Sequence, residues 1–442
     1  MKRKLLDQLL AWKNAPQRKP VLLDGARQTG KSYLLEKILG EHFAQVVRID
    51  FLEQPSMAEL FKDSLNPDDI LANLELVLNI KIDVANALII FDEIGECQAA
   101  VNSLKFFAEQ KPQIYLCASG SNIGLLASFP VGKVEFLELH PLSYEEFLWA
   151  ANQPALVAAF NEMALSKVVH QKLFSLLLDY YFVGGMPEVV NTWFAMPGSD
   201  NDSLVERIER VSQLQKTLLA GYELDFGKYA GKVSANQISA VFNAVPKQLA
   251  KFVDDSVKRF KFKEAAQNVN RYQQLAGPID WLVKCKLLSK CHPIEGRPTL
   301  PLQVLAKENL FKLFFFDVGL LGSKVGISYQ QQRDQGLAYK GYIAENFVQN
   351  ELRLQQSEPT YSWEYARSEV EFLYRTANGQ IIPVEVKSGK RTRAKSLGVY
   401  VDRYTPSQSV KLVGTTGSLD DPTAIVLPLY YASKLGKVTC TI

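Results

Sequence analysis

The sequence predicts an α/β protein, and three observations carry that expectation. Residues 25–32 read Gly25-Ala26-Arg27-Gln28-Thr29-Gly30-Lys31-Ser32, the G-x-x-x-x-G-K-[ST] pattern of a phosphate-binding P-loop. The apolar run Val21-Leu22-Leu23 precedes it, and residues 33–39 follow with helical apolar spacing. A second run, Ala87-Leu88-Ile89-Ile90-Phe91, is apolar throughout and ends in Asp92-Glu93, as expected of a central parallel strand buried on both faces. Near the other end of the chain, two apolar-rich segments flank Asn378-Gly379, a strong hairpin signature.

Composition sets the outer limits. A length of 442 residues fits about three domains. With 47% hydrophobic and 22% charged residues the chain can build several cores, as soluble globular proteins do. The net charge of +3 is too small to argue for nucleic acid by itself. No apolar run reaches the ~18 residues needed to cross a bilayer, so no membrane partner is expected. Met1-Lys2-Arg3-Lys4 looks basic, but Asp7, Gln8 and Lys13 interrupt the apolar residues that follow. With no small-residue cleavage site, the start reads as an amphipathic helix rather than a signal peptide. Cys97, Cys117, Cys285, Cys291 and Cys440 are scattered and odd in number, which fits free thiols in a reducing cytoplasm.

The P-loop pattern has a direct chemical meaning. Its glycines let the backbone turn tightly and aim N–H groups inward, and the next helix adds partial positive charge. Lys31 is placed to reach the β- and γ-phosphates of a nucleotide, and the Ser32 hydroxyl to ligate Mg²⁺. Asp92 is suited to hold Mg²⁺ through water, and Glu93 to orient or deprotonate the attacking water. Carboxylates at that strand end lie where open parallel sheets bind ligands.

Further strands are expected at Val46–Phe51, Ile114–Ala118 and Val134–Leu139. The second of these leads to Ser119-Gly120-Ser121-Asn122, where Ser121 and Asn122 either touch the γ-phosphate or the hydrolytic water, or simply form a turn. Ser143 is a good helix N-cap, with Glu146 at the capping-box position.

Together the P-loop, Ile90-Phe91-Asp92-Glu93-Ile94, Ser119-Gly120-Ser121 and Pro141-Leu142-Ser143-x-x-Glu146-Phe147 resemble a family of prokaryotic AAA+ ATPases. In that family a C-terminal domain of uncharacterised function follows the ATPase, and the resemblance spans essentially the whole chain. It implies an AAA+ domain with a parallel sheet over residues 1–155, binding of ATP and ADP, Mg²⁺ as cofactor, and ATP hydrolysis. The implied nucleotide contacts are Gly25, Ala26, Arg27, Gln28, Thr29, Gly30, Lys31, Ser32, Tyr33, Asp92 and Ser121, with Lys31 and Glu93 catalytic. Family members usually carry Gly-Arg where this chain has Gly132-Lys133. Lys lacks the bidentate fork of Arg, so any contact to phosphate in a homo-oligomer would be weaker.

The middle of the chain reads mostly helical, with a helical subdomain over 156–235. Gly184-Gly185 allows a tight turn after Tyr180-Tyr181-Phe182-Val183, and Pro187 suits the first turn of a new helix. Residues 236–305 resemble a winged-helix region. Lys251, Lys258, Arg259, Lys261 and Lys263 give it a basic face that either contacts DNA or is a solvated helix surface.

The last part, 306–442, opens with the aromatic-rich Phe311–Phe316, read as a buried strand closed by a turn at Asp317–Gly319. Gly341–Val348 starts a helix bearing Glu345. A hairpin through Asn378-Gly379 brings Glu371 near Glu385, and strand alternation puts Glu385 and Lys387 on one face. Two carboxylates so placed can share a divalent metal, with Lys387 beside an attacked phosphate. This pattern resembles the restriction-endonuclease-like (PD-(D/E)xK) α/β fold. The resemblance implies metal binding by Glu345, Glu371 and Glu385 and nuclease roles for Glu371, Glu385 and Lys387. Glu371 stands where the family has Asp, one methylene out of place for a strict Mg²⁺ site. The same residues also fit a solvent-facing Glu–Lys pair on an ordinary hairpin. The basic stretch Ser388–Lys395 either holds a nucleic-acid backbone, DNA or RNA, or is a solvated loop. Two functions follow. In one, an ATPase controls a domain that binds or cuts nucleic acid. In the other, a nucleotide-gated module with slow turnover recognises protein.

Overall fold

The computed structural model describes residues 1–121, 123–126, 128–194, 204–251, 259–266, 271–334, 336–337, 339–356, 359–389, 395–418 and 424–439, without the side chains of 228–234, 250 and 251. Asn122, Lys258, residues 390–394 of the basic stretch and Cys440 lie outside the described residues. The chain divides into two compact units, Met1–His140 with Lys284–Lys286, and Pro141–Val283 with Leu287–Ile442.

In the first unit, five strands form one parallel sheet: β1 (Val21–Asp24), β2 (Gln45–Asp50), β3 (Ala87–Asp92), β4 (Tyr115–Gly120) and β5 (Glu135–Glu138). Their spatial order is β2-β3-β4-β1-β5. β3 is buried along its whole length, and its side chains divide between two cores. Ile89 and Phe91 pack with Leu104 and Phe107 of the Gln98–Gln110 helix, whereas Leu88 and Ile90 pack with Leu9 and Trp12 of the Leu5–Asn14 helix. A strand covered on both sides needs apolar residues at every position, which is why its sequence does not alternate. The helix after the P-loop opens at Lys31–Tyr33, widens to π geometry over Leu34–Leu39 and closes with a 3-10 turn at Gly40–His42.

The second unit starts with helices. Ser143 and Glu146 form the expected capping box on the Tyr144–Ala150 helix. Another helix begins at Pro187, and the helix Leu204–Lys251 runs for 48 residues with Pro246 inside it. The strands that follow are β6 (Leu288–Glu295), β7 (Lys312–Phe315), β8 (Thr360–Tyr365), β9 (Ser368–Arg375), β10 (Ile381–Lys387), β11 (Val410–Val413) and β12 (Ile425–Pro428). They form a mixed sheet in the order β12-β11-β10-β9-β8-β6-β7.

The long helix occupies the start of residues 236–305, and β6 is built into the large sheet, antiparallel to β7 and parallel to β8. Leu288, Cys291 and Ile294 of β6 are fully buried. One expectation needs correction here: Asp317 does not close a simple turn. Its side chain caps the helix Val318–Lys324 by accepting from the Leu320 N–H.

Candidate nucleotide site and carboxylate–lysine cluster

The P-loop joins the C-terminal end of β1 to the helix at Lys31. Gly25 sits so close to the chain that a Cβ there would lie 2.3 Å from the Leu139 carbonyl oxygen. Gly30 has φ +88°, a left-handed conformation that glycine adopts without strain. The loop is held from several sides. Gly25 N–H donates to Asp24 Oδ1 at 2.8 Å, and Thr29 Oγ1 donates to the Ala26 carbonyl at 2.8 Å. The buried Arg3 donates to the Thr29 carbonyl at 2.9 Å and to the His140 carbonyl at 2.5 Å. Arg27 Nε donates to Ser121 Oγ at 3.3 Å.

Lys31 is buried, and its ammonium donates to the Gly25 and Ala26 carbonyls at 3.0 Å each. Burial lowers its pKa, opposed by the carboxylates of Glu93, Asp24 and Asp92. A phosphate oxygen is a stronger acceptor than a neutral carbonyl, so this lysine can exchange those bonds for nucleotide contacts. Ser32 is partly exposed at the helix start, and Tyr33 is exposed beside it.

The acids of this unit lie at neighbouring strand ends. The β2–β3 register sets Asp50 opposite Asp92. Two adjacent carboxylates repel, and Arg48 of β2 bridges both. Its Nη2 lies 2.7 Å from Asp92 Oδ2 and 2.5 Å from Asp50 Oδ2, and its Nε donates to Asp92 Oδ2 at 3.0 Å. Ser119 Oγ and the Glu93 N–H both donate to Asp92 Oδ1. Glu93 itself has φ +48°, a conformation that costs a non-glycine residue energy and concentrates at functional sites. Burial raises the Glu93 pKa, with Lys31 opposing the shift. Lys133 is engaged elsewhere in the unit, 2.7 Å from Glu109.

In the second unit, the β9–β10 hairpin brings the expected residues together. Val384 pairs with Phe372, so Glu371 and Glu385 project from the opposite face side by side. Lys387 Nζ lies 2.6 Å from Glu385 Oε1 and 3.5 Å from Glu371 Oε1. Glu371 Oε2 accepts from the Val386 N–H at 3.0 Å. Glu345, on the Lys340–Arg353 helix, lies 3.8 Å from Lys312 Nζ, which also pairs with Glu369. Burial and the neighbouring Glu371 push the Glu385 pKa up. Burial lowers that of Lys387, but Glu371 and Glu385 more than compensate, and the net shift is upward. Among the described residues, no group of three or more His, Cys, Asp or Glu side chains is arranged to hold a metal ion. Between Glu371 and Glu385 the cation present is the Lys387 ammonium.

Sequence reasoning missed Arg3, Arg48, Lys312 and Glu369. Arg48 and Asp50 stand two apart on one strand, and so do Glu369 and Glu371; that spacing was a usable signal. Lys312 was marked by being the one charge within Phe311–Phe316. Nothing local to Arg3 points to the P-loop.

Residues 17–148 match the model of an AAA domain. Residues 175–331 and 340–431 match two domains of unknown function, DUF8612 and DUF4143. A search of curated proteins found no match. Among solved structures, a Walker-type ATPase of Pyrococcus abyssi aligns at 13% identity over 73% of this chain and 94% of that one, with a TM-score of 0.43. A signal transduction ATPase with numerous domains from Pyrococcus horikoshii, bearing a tetratricopeptide repeat sensor, aligns at 14% identity over 80% of this chain and 46% of that one, with a TM-score of 0.25. No described helix is long and apolar enough to cross a membrane. With the P-loop at the end of β1 and Asp92-Glu93 at the end of β3, residues 17–148 are an AAA-type P-loop ATPase domain, built to bind nucleotide.

Proposed function

We propose that the chain binds and hydrolyses ATP, and that its nucleotide state governs what the C-terminal unit binds. The observation that carries the first half is Lys31, buried within the loop and, among the described residues, bonded only to the Gly25 and Ala26 carbonyls, with Glu93 close enough to act on its charge. In this reading Lys31 holds the β- and γ-phosphates, Gly25 to Tyr33 wrap them, Arg27 and Ser121 flank the γ-phosphate, and Glu93 orients water. Mg²⁺, when bound, would neutralise phosphate charge, and the Ser32 hydroxyl is the donor suited to it. Asp92 fits that task poorly as it stands, because both its oxygens already accept two hydrogen bonds. The test is ATP turnover and ATP binding by wild type and Lys31→Ala. Equal values in the two would end the ATPase reading.

For the C-terminal unit, the resemblance to the restriction-endonuclease-like fold supports binding of DNA or RNA, with Glu371, Glu385 and Lys387 at the site. A second reading is favoured by one observation: Lys387 fills the space between the two carboxylates that a metal would need. In that reading the unit recognises its partner, nucleic acid or protein, without cutting it. Incubation with DNA and RNA in Mg²⁺ or Mn²⁺ separates the two. Cleavage by wild type and not by Lys387→Ala supports a nuclease. Equal inertness, with binding that weakens steeply in salt, supports a nucleic-acid-binding module.

A further inference from the structure

The hydrogen bonds around Asp92 add up in an unusual way. A carboxylate oxygen has lone pairs for two good hydrogen bonds. On Asp92, Oδ2 accepts from Arg48 Nε at 3.0 Å and Nη2 at 2.7 Å, while Oδ1 accepts from Ser119 Oγ and from the Glu93 N–H at 3.2 Å. The side chain is only 1% exposed. Its acceptor capacity is therefore filled, and no position is left for a metal-bound water. Of the four donors, the main-chain N–H cannot leave, and Ser119 is buried. The guanidinium is different. It is 26% exposed, and two further carboxylates stand near it, Glu36 at 3.8 Å and Glu53 at 3.9 Å. Arg48 can thus swing toward other acids without losing all charge compensation. Burial disfavours its charge, but the pairing with Asp92 outweighs that and raises its pKa, so it stays a cation at any physiological pH.

We propose that Arg48 is a positioning residue that competes with a divalent cation for Asp92. The proposal rests on the reading of Gly25–Ser32 as a nucleotide site, and it deepens that reading by naming how metal loading is controlled. With Arg48 docked, nucleotide enters the P-loop through Lys31 and the loop N–H groups alone. The cation is retained through Asp92 only after the guanidinium has moved. Metal loading then becomes a step separate from nucleotide binding, and a protein bound to metal-free nucleotide is a stable state rather than a transient one.

The test uses the full chain, ADP or ATP, and Mn²⁺ as the metal probe. Free and bound Mn²⁺ are followed by electron paramagnetic resonance, and nucleotide binding is measured separately in EDTA. Arg48→Gln is expected to bind Mn²⁺ at least about tenfold more tightly than wild type in the presence of ADP. Its affinity for ATP in EDTA should stay within about twofold of wild type, since the P-loop contacts are untouched. The gain should disappear in Arg48→Gln combined with Asp92→Asn, which locates it at that carboxylate. Unchanged or weaker Mn²⁺ binding by Arg48→Gln, or a gain that survives Asp92→Asn, overturns the proposal. Should Arg48→Gln not fold, Arg48→Lys decides. It keeps the charge but cannot span Asp92 and Asp50 with a fork, so a gain of at least about threefold is expected and none overturns the idea. Failure of wild type to bind ATP in either buffer would instead remove the nucleotide-site reading itself, and this proposal with it.

Discussion

In the first unit the lysine aimed at phosphate is kept apart from the acids. Lys31 rests on main-chain carbonyls, while Arg48 of β2 pairs with Asp50 of its own strand and with Asp92 of β3. In the second unit one lysine serves both ends, because Lys387 is itself the counter-ion of Glu385 and Glu371. The difference lies in what is left over. Around Asp92 every acceptor position is used. Around Glu385 they are not: Lys387 reaches Oε1, while Oε2 is buried with no donor among the described residues. A site of the first kind is electrostatically closed until a cation is moved. In a site of the second kind, burial and then the neighbouring Glu371 disfavour the charged form of Glu385, which raises its pKa.

The largest expected effect removes the separation in the first unit. Gly25→Ala places a Cβ against the Leu139 carbonyl, a backbone atom that cannot step aside. A loss of about 3 kcal/mol in unfolding free energy is expected, with ATP binding weakened by at least about tenfold. Calorimetry with and without ATP checks both. If binding survives unchanged, the loop does not depend on that packing.

Asp317 supplies a reference case, an acid served by main-chain N–H groups alone. It accepts from Gly185 at 2.6 Å and Leu320 at 2.8 Å, yet burial pushes its pKa up to about 6. Because the folded value lies above the unfolded one, the folded chain holds a proton that the unfolded chain has lost. The stabilising contribution is complete below about pH 4 and is lost as pH rises to about 6. The stability of wild type relative to Asp317→Asn should therefore fall by about 2–3 kcal/mol across that window in urea unfolding. A flat difference would mean that the N–H groups hold the carboxylate ionised throughout.

Lys387→Met tests the second cluster directly. Loss of the counter-ion should cost on the order of 2 kcal/mol at pH 8, less than for a fully buried pair because the lysine is partly exposed. The penalty should shrink toward pH 5 as Glu385, whose pKa is raised, takes up a proton. A cost independent of pH would show that Lys387 acts by packing alone. The smallest effect is expected for Lys133→Ala. Its pair with Glu109 is exposed on both sides, so the stability change should stay within about 0.5 kcal/mol. A large fall in ATP turnover at unchanged stability would reveal a role for Lys133 at phosphate.

Much of the first unit was legible in the sequence, because a parallel sheet writes itself as apolar runs. All five strands fall where Val21, Val46, Ala87, Ile114 and Val134 begin their segments, to within a residue. The Glu371–Glu385–Lys387 placement was legible too, since an Asn-Gly turn fixes hairpin register. The Arg48 pairing with Asp92 was not, because it depends on β2 lying beside β3 rather than β1, and strand order is not a local property. Lys312 was hidden in the same way, since it reaches Glu345 and Glu369 only once β7 joins the sheet. Short helical patterns around Phe242 and Leu249 belong to one long helix, and periodicity alone does not say whether neighbouring turns are joined.

Arg3 ties residue 29 to residue 140, and β1 lies between β4 and β5, strands that begin about 95 and 115 residues downstream. The loop that carries Lys31 is therefore written early in the chain and finished late. On the ribosome, Gly25 to Ser32 emerge long before Leu139 and His140 exist to hold them, and such distant pairings are slow to form. A nascent chain stalled before residue 140 should have a full P-loop sequence and no fixed pocket. Acquisition of ATP affinity then becomes a clock for completion of the chain through His140, readable in chains arrested at successive lengths.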